Sequence, residues 1–180
     1  MRRPGQSASA PPSAAPPPAS IALGPQDYEH GREFTADLDA FLGKLPAGWR
    51  YGVELRNRHW LQPEYFAMLR RHGIAHVFNS WDAMPAVSEQ MAMAGSETSD
   101  AFLAARFLLK PGRKYEEAVK EFSPYKAVKE VNPEARSTGA ELIAGAKAKG
   151  KQAFIYVNNR LEGNALETIG AMVEADGSTS

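Results

Sequence analysis

Along residues 51–60, YGVELRNRHW, apolar and polar positions alternate. Read as a strand, this stretch puts Tyr51, Val53 and Leu55 on one face and Gly52, Glu54 and Arg56 on the other. Covering the second face with helices would strip Glu54 and Arg56 of water, a heavy cost even for a pair. A closed cylinder of strands removes the difficulty. Its apolar face meets an outer ring of helices, and its charged face points into a pore near the carboxyl end of the strand, where (βα) barrels carry their catalytic groups.

The remaining periodicities fit around that strand. Phe34, Leu38, Phe41, Leu42 and Leu45 are spaced for one helical face that stops at Pro46 and Gly48. Pro63 opens a second helix carrying Tyr65, Phe66, Met68 and Leu69, which ends at His72 and Gly73. Strands are predicted at 74–80, 102–109 and 152–157. KPGRKYEEAVKEF reads as a basic turn entering a helix, Asn132-Pro133 as a helix start that runs to Gly150, and Asn164 with Glu167 as the capped start of a last helix. The stretch from Trp81 to Asp100 is Met-rich and aperiodic apart from a short helix within 85–91, which marks it as a functional loop or a poorly ordered one. Strand and helix thus alternate four times, implying parallel strands joined by right-handed crossovers. Four strands are half of an eight-stranded barrel. Before them, residues 1–26 are dominated by Pro, Ala and Ser and read as a disordered leader; residues 27–176 form the partial barrel, and 177–180 a disordered tail.

Composition narrows the function classes. The chain has 180 residues, 43% hydrophobic, and a formal net charge of zero, which argues against a general nucleic-acid coat or a membrane-surface protein. With no cysteine, disulfides, thiolate nucleophiles and thiolate-bound metals are excluded. The leader has no apolar core of a secretory signal and no run is long enough to span a bilayer, so a cytoplasmic protein with no membrane partner is expected. No GxSxG, P-loop, GxGxxG or HExxH pattern occurs, so a metal would have to be assembled from Glu54, His59 and Asp82, and none is expected.

The stretches VELRNRHW, HVFNSWDAMP, RFLLKPGRKYEEAVKEFSPY, NPEAR and FIYVNNRLEGNALETI resemble the YecE-like family, domain of unknown function 72, from about Phe34 to Val173. The resemblance implies a TIM-like (βα) barrel with no established activity, of which only the carboxyl-terminal half is present. A half-barrel exposes two strand edges, which favours self-association. It also makes the four strands the last four of the barrel, so the loops after the final two, 110–114 and 158–164, are those with which barrels often bind phosphate. They hold Lys110, Arg113, Lys114 and Arg160, joined by Arg106 from the preceding strand and Arg56 from the first.

The leading expectation is therefore an enzyme-like pocket for a phosphorylated small molecule or another anion, its cofactor and reaction unspecified. Glu54 is the first candidate for acid or base work and Asp82 the second. Asn158 and Asn159 end the last strand, one facing the mouth and one capping the turn, and Tyr115, Trp60 and Trp81 offer stacking surfaces or equally well pack in the core or at the rim. The competing readings are a structural Glu54 that merely neutralises Arg56 or Arg106, a solvated basic loop with Arg113 paired to Glu117, a nucleic-acid-binding protein, and an inactive fragment of a longer barrel. His76 reads as a satisfied core residue and His72 as a helix C-terminal one.

Overall fold

The computed structural model describes residues 19–22 and 31–177. The elements run β1 (Ala19–Ala22), α1 (Gly31–Leu42), β2 (Tyr51–Glu54), one 3₁₀ turn (Arg58–Trp60), α2 (Pro63–Arg71), β3 (Ala75–Asn79), α3 (Val87–Ala92), β4 (Phe102–Phe107), α4 (Tyr115–Phe122), α5 (Pro133–Ala148), β5 (Gln152–Val157) and α6 (Ala165–Ala175). The five strands form one sheet in the order β1-β2-β3-β4-β5, every pair parallel. This is an α/β fold of parallel strands alternating with helices. Among the described residues β1 pairs only with β2 and β5 only with β4, so the sheet has two free edges.

Two expectations are corrected. The leader assigned to residues 1–26 contains β1, because Ala19 to Ala22 find a preformed parallel partner in Tyr51 to Glu54, and pairing outweighs a composition poor in strand formers. Gly177, assigned to the tail, instead caps α6 with a positive φ and an N–H bonded to the Glu174 carbonyl. The rest of that leader, with His30, and the last three residues lie outside the described part.

Sequential parallel strands joined by right-handed crossovers put all their helices on one face of the sheet. Val53 and Leu55 pack there with Phe34, Leu38 and Leu42 of α1 and with Tyr65, Phe66, Met68 and Leu69 of α2. Farther along, Leu103, Ala105 and Phe107 meet Leu142 and Ala146 of α5 and Met172 of α6. Among the described residues the opposite face carries no helix, and its smaller apolar cluster joins Ala75, Val77, Phe102, Ala104 and Phe154. Gly52 belongs to this face because a Cβ there would sit 2.8 Å from Val77 Cγ2.

The aperiodic stretch 81–100 is neither a loose loop nor a disordered one. Gln90 is buried and its amide donates to the carbonyls of Asn79 and Pro85, while Thr98 Oγ1 donates to the Ile74 carbonyl and accepts from the His76 N–H. Side-chain to backbone bonds fix it where regular structure does not. Among the described residues no helix is long and apolar enough to cross a membrane.

Candidate functional site

The helix-free face becomes ionic where β2 and β4 end. Glu54 is fully buried, and both of its carboxylate oxygens are taken: Oε1 accepts from Arg56 Nε at 3.1 Å and Oε2 accepts from Arg106 Nη1. Arg106 reaches Glu54 across β3, and its register neighbours are Asn79 on β3 and Tyr156 on β5. Asn79 is buried; it donates to the Leu55 carbonyl at 2.8 Å and accepts from the Trp81 N–H, holding both segments that leave the strand ends. The Arg56 guanidinium lies over the Trp81 ring, 4.3 Å from its centroid, a stacking attraction of about 1 kcal/mol. Each arginine keeps 31% of its side chain accessible while the carboxylate has 1%. The cluster therefore carries one buried negative charge and two partly open positive ones.

The other expected cations form separate groups. Lys110 and Arg113 both bind Glu130, at 3.0 and 2.5 Å, and the Arg113 hydrogen bond is the main reason the Glu130 carboxyl is held below its ordinary range. Arg113 also lies over the Phe122 ring, and its buried Nη1 has no partner among the described residues. The expected pairing of Arg113 with Glu117 is not what forms: Glu117 accepts instead from the Lys114 N–H at the start of α4. Arg160 stacks on Tyr115, whose ring is exposed. Lys114 is exposed.

The remaining candidates stand apart from the Glu54 cluster. Asn158 Oδ1 accepts from Arg160 N and Asn159 Oδ1 from Ala165 N, so both amide oxygens act as local caps in the turn after β5. Asp82 is exposed and makes no hydrogen bond or ion pair among the described residues. Trp60 is buried and stacked on Phe34 with centroids 4.2 Å apart, so it belongs to the core. No three His, Asp or Glu side chains come together as a metal site among the described residues.

Two acidic residues escaped sequence reading. Glu130 anchors Lys110 and Arg113, and Glu162 is the centre of a second buried knot. Its carboxylate accepts from Arg136 through Nε and Nη2, from Thr168 Oγ1 at 2.8 Å and from the Asn132 N–H. The hydrogen bond to Glu162 is also what raises the Arg136 pKa most. Next to it, Gly163 has φ +114, and a Cβ there would lie 2.6 Å from the Ala127 carbonyl oxygen. The one available signal was the helix start at Asn132-Pro133, whose free N–H groups call for an acceptor.

With this geometry in place, comparison decides the family. The family described as protein of unknown function DUF72 matches residues 20–179. The chain is a member of the DUF72 family. Among solved structures it resembles a DUF72 family protein of Enterococcus faecalis V583, with a TM-score of 0.64 and 15% identity over 89% of this chain and 58% of that one. It also resembles a DUF72 family protein of Thermotoga maritima MSB8, with a TM-score of 0.58 and 19% identity over 88% of this chain and 56% of that one. At such identities the likeness concerns the fold, and this DUF72 chain spans less than three-fifths of either relative's length. No curated protein matches it.

Proposed function

We propose that the ends of β2 and β4 form an enzyme-like anion site for a phosphorylated small molecule, at the mouth of a sheet that is the carboxyl-terminal part of a TIM-like barrel. The observation that carries this reading is the sharing of Glu54 between two guanidinium groups that remain one-third accessible. A carboxylate can neutralise only one of them, so one unit of positive charge faces the open side, on planar forks suited to phosphate oxygens. Both oxygens of Glu54 face arginines, which gives it the role of positioning them rather than of meeting substrate. Asp82 stands too far into solvent to share that role. Lys110 and Arg113 are partly neutralised by Glu130 and form the outer rim.

Titration calorimetry of the full chain with inorganic phosphate tests this. Saturable binding is expected to weaken at least about tenfold in Arg106→Gln and in Arg56→Gln, the usual loss of a charge-assisted hydrogen bond. Quenching of Trp81, beneath Arg56, should report the same constant. Unchanged affinity in both variants ends the proposal. A site for one phosphate also has a shallow dependence on salt; tight oligonucleotide binding with a steep salt slope would favour the nucleic-acid reading instead.

A further inference from the structure

At the mouth of the sheet the strand ladder parts. β2 is in register with β3 only as far as Val53 with His76, while β3 stays in register with β4 through Asn79 with Arg106. Successive residues of a parallel strand turn their backbone groups to opposite neighbours. Ser80 donates its N–H to the Arg106 carbonyl and accepts from the Leu109 N–H, so the N–H and carbonyl of Asn79 face the side that β2 has left. Gln90 of α3 takes both: its Oε1 accepts from the Asn79 N–H at 3.3 Å and its Nε2 donates to the Asn79 carbonyl at 2.6 Å. A buried side-chain amide thus stands in for the peptide of the missing strand. The gap within the sheet is spanned by the Asn79 side chain, which holds the Leu55 carbonyl and the Trp81 N–H. Thr98 plays the matching part at the other end of β3, where its hydroxyl serves the His76 N–H and the Ile74 carbonyl before pairing with β4 begins at Val77.

The groups of the ionic cluster are therefore held in different ways. Arg106 lies within β4, in register with Asn79 on one side and Tyr156 on the other, and Glu54 is in register with Ala22 of β1. Arg56 lies two residues beyond the end of β2, against Glu54 and over the Trp81 ring. Leu55 before it and Trp81 beneath it both hang on Asn79, and Asn79 hangs on Gln90. We propose that Gln90 is a positioning residue for the anion site, acting through Asn79 and Trp81 to set the Arg56 guanidinium beside that of Arg106 so that both face one phosphate. This role rests on the anion reading of the Glu54 cluster. Without the Gln90 amide, two buried backbone groups of Asn79 lose their partners, and the strand end must shift or take up water to satisfy them. Either change moves the side chain that holds Leu55 and Trp81, and Arg56 with it. Arg106 keeps the place that β4 gives it.

Titration calorimetry of the full chain with inorganic phosphate, arranged as double-mutant cycles, tests the assignment. Gln90→Met should weaken phosphate binding about fivefold to tenfold. Added to Arg56→Gln, it should cost less than about a further twofold, because the arm it positions is already gone; added to Arg106→Gln, it should cost its full factor again. Asn79→Ala, which leaves Gln90 and the backbone of residue 79 in place, should reproduce that pattern and serves if Gln90→Met does not fold. Thr98→Val strands two buried backbone groups at the far end of the same strand and should leave phosphate affinity unchanged. Unchanged affinity in Gln90→Met and Asn79→Ala, equal coupling to both arginines, or an equal loss in Thr98→Val would each overturn the positioning role while leaving the anion site standing. Absence of saturable binding to the unsubstituted chain would overturn both.

Discussion

Glu54 and Glu162 are both fully buried carboxylates bound to arginine, and they teach different things. Glu162 meets one guanidinium, one hydroxyl and one backbone N–H, so its charge is matched and every lone pair is used inside the protein. It ties the loop after β5 to the start of α5, and its one negative charge is set against the one positive charge of Arg136. Glu54 meets two guanidinium groups, and the surplus charge stands at the open face of the sheet. The first knot closes a structure and the second leaves a valence. Charge counting at equal burial separates an anchor from the proposed site, where burial alone does not.

The largest expected effect is on the anchor. Glu162→Ala should cost about 3–5 kcal/mol of stability, because it strands Arg136 and removes acceptors from Thr168 and Asn132. Urea unfolding measures it. Phosphate affinity of the folded fraction should not change; a fall at Glu162 as steep as at Arg106 would erase the distinction between the two knots.

Next comes a buried titratable group with no charge partner among the described residues. His76 sits among Tyr65, Phe66 and Phe78, its Nδ1 bonded to the Tyr65 hydroxyl at 3.2 Å and its Nε2 without a partner. Burial pushes its pKa from 6.5 to about 4. The unfolded chain therefore takes up the proton first. The stability of the neutral state is complete above about pH 6.5 and is lost as pH falls toward 4. Over that window the loss should be about 3 kcal/mol. His76→Phe should flatten the slope between pH 6.5 and 4; a slope equal to that of the unsubstituted chain would mean the ring is hydrated.

Much of this was readable from residues, and the exceptions share a cause. The strands, and helices with a local start signal such as Asn132-Pro133 or Asn164 with Glu167, show in the sequence because their patterns lie within one element. The contact of Glu54 with Arg56 and Arg106 follows from strand parity, since parallel neighbours in register keep like faces together. Glu130 and Glu162 did not announce themselves, because each acts on an arginine 17 or 26 positions earlier through loops without periodicity. The packed stretch around Gln90 and Thr98 was opaque for the same reason: its order comes from side chains bonding to distant backbone. Four residues of β1 within a Pro/Ala/Ser run could be seen only once β2 was there to receive them.

A smaller effect tests the valence directly. Glu54→Gln removes the competing carboxylate and leaves two guanidinium groups with no counter-charge. The variant should lose about 1–2 kcal/mol without ligand, less than the Glu162 anchor, because Arg56 and Arg106 can turn to water. Phosphate should then bind more tightly than to the unsubstituted chain and raise the melting temperature by a larger increment. Weaker binding would give Glu54 a part in holding the ligand.

The smallest effect belongs to the rim, where the same two-to-one ratio of cations to carboxylate occurs in water. Glu130 is 37% accessible, so its bonds to Lys110 and Arg113 are screened, and Glu130→Gln should change stability by less than about 1 kcal/mol. Its carboxyl is held low in the folded chain, so this contribution is present above the ordinary value of 4.5 and disappears as pH drops below it. It therefore vanishes in a more acidic range than the contribution of His76, and added salt should abolish it while leaving the Glu54 knot in place. Chemical-denaturation midpoints at high and low salt, at neutral pH and near pH 3, separate the two clusters. If Glu130→Gln proved as costly as Glu54→Gln and equally resistant to salt, exposure would not be what distinguishes rim from site.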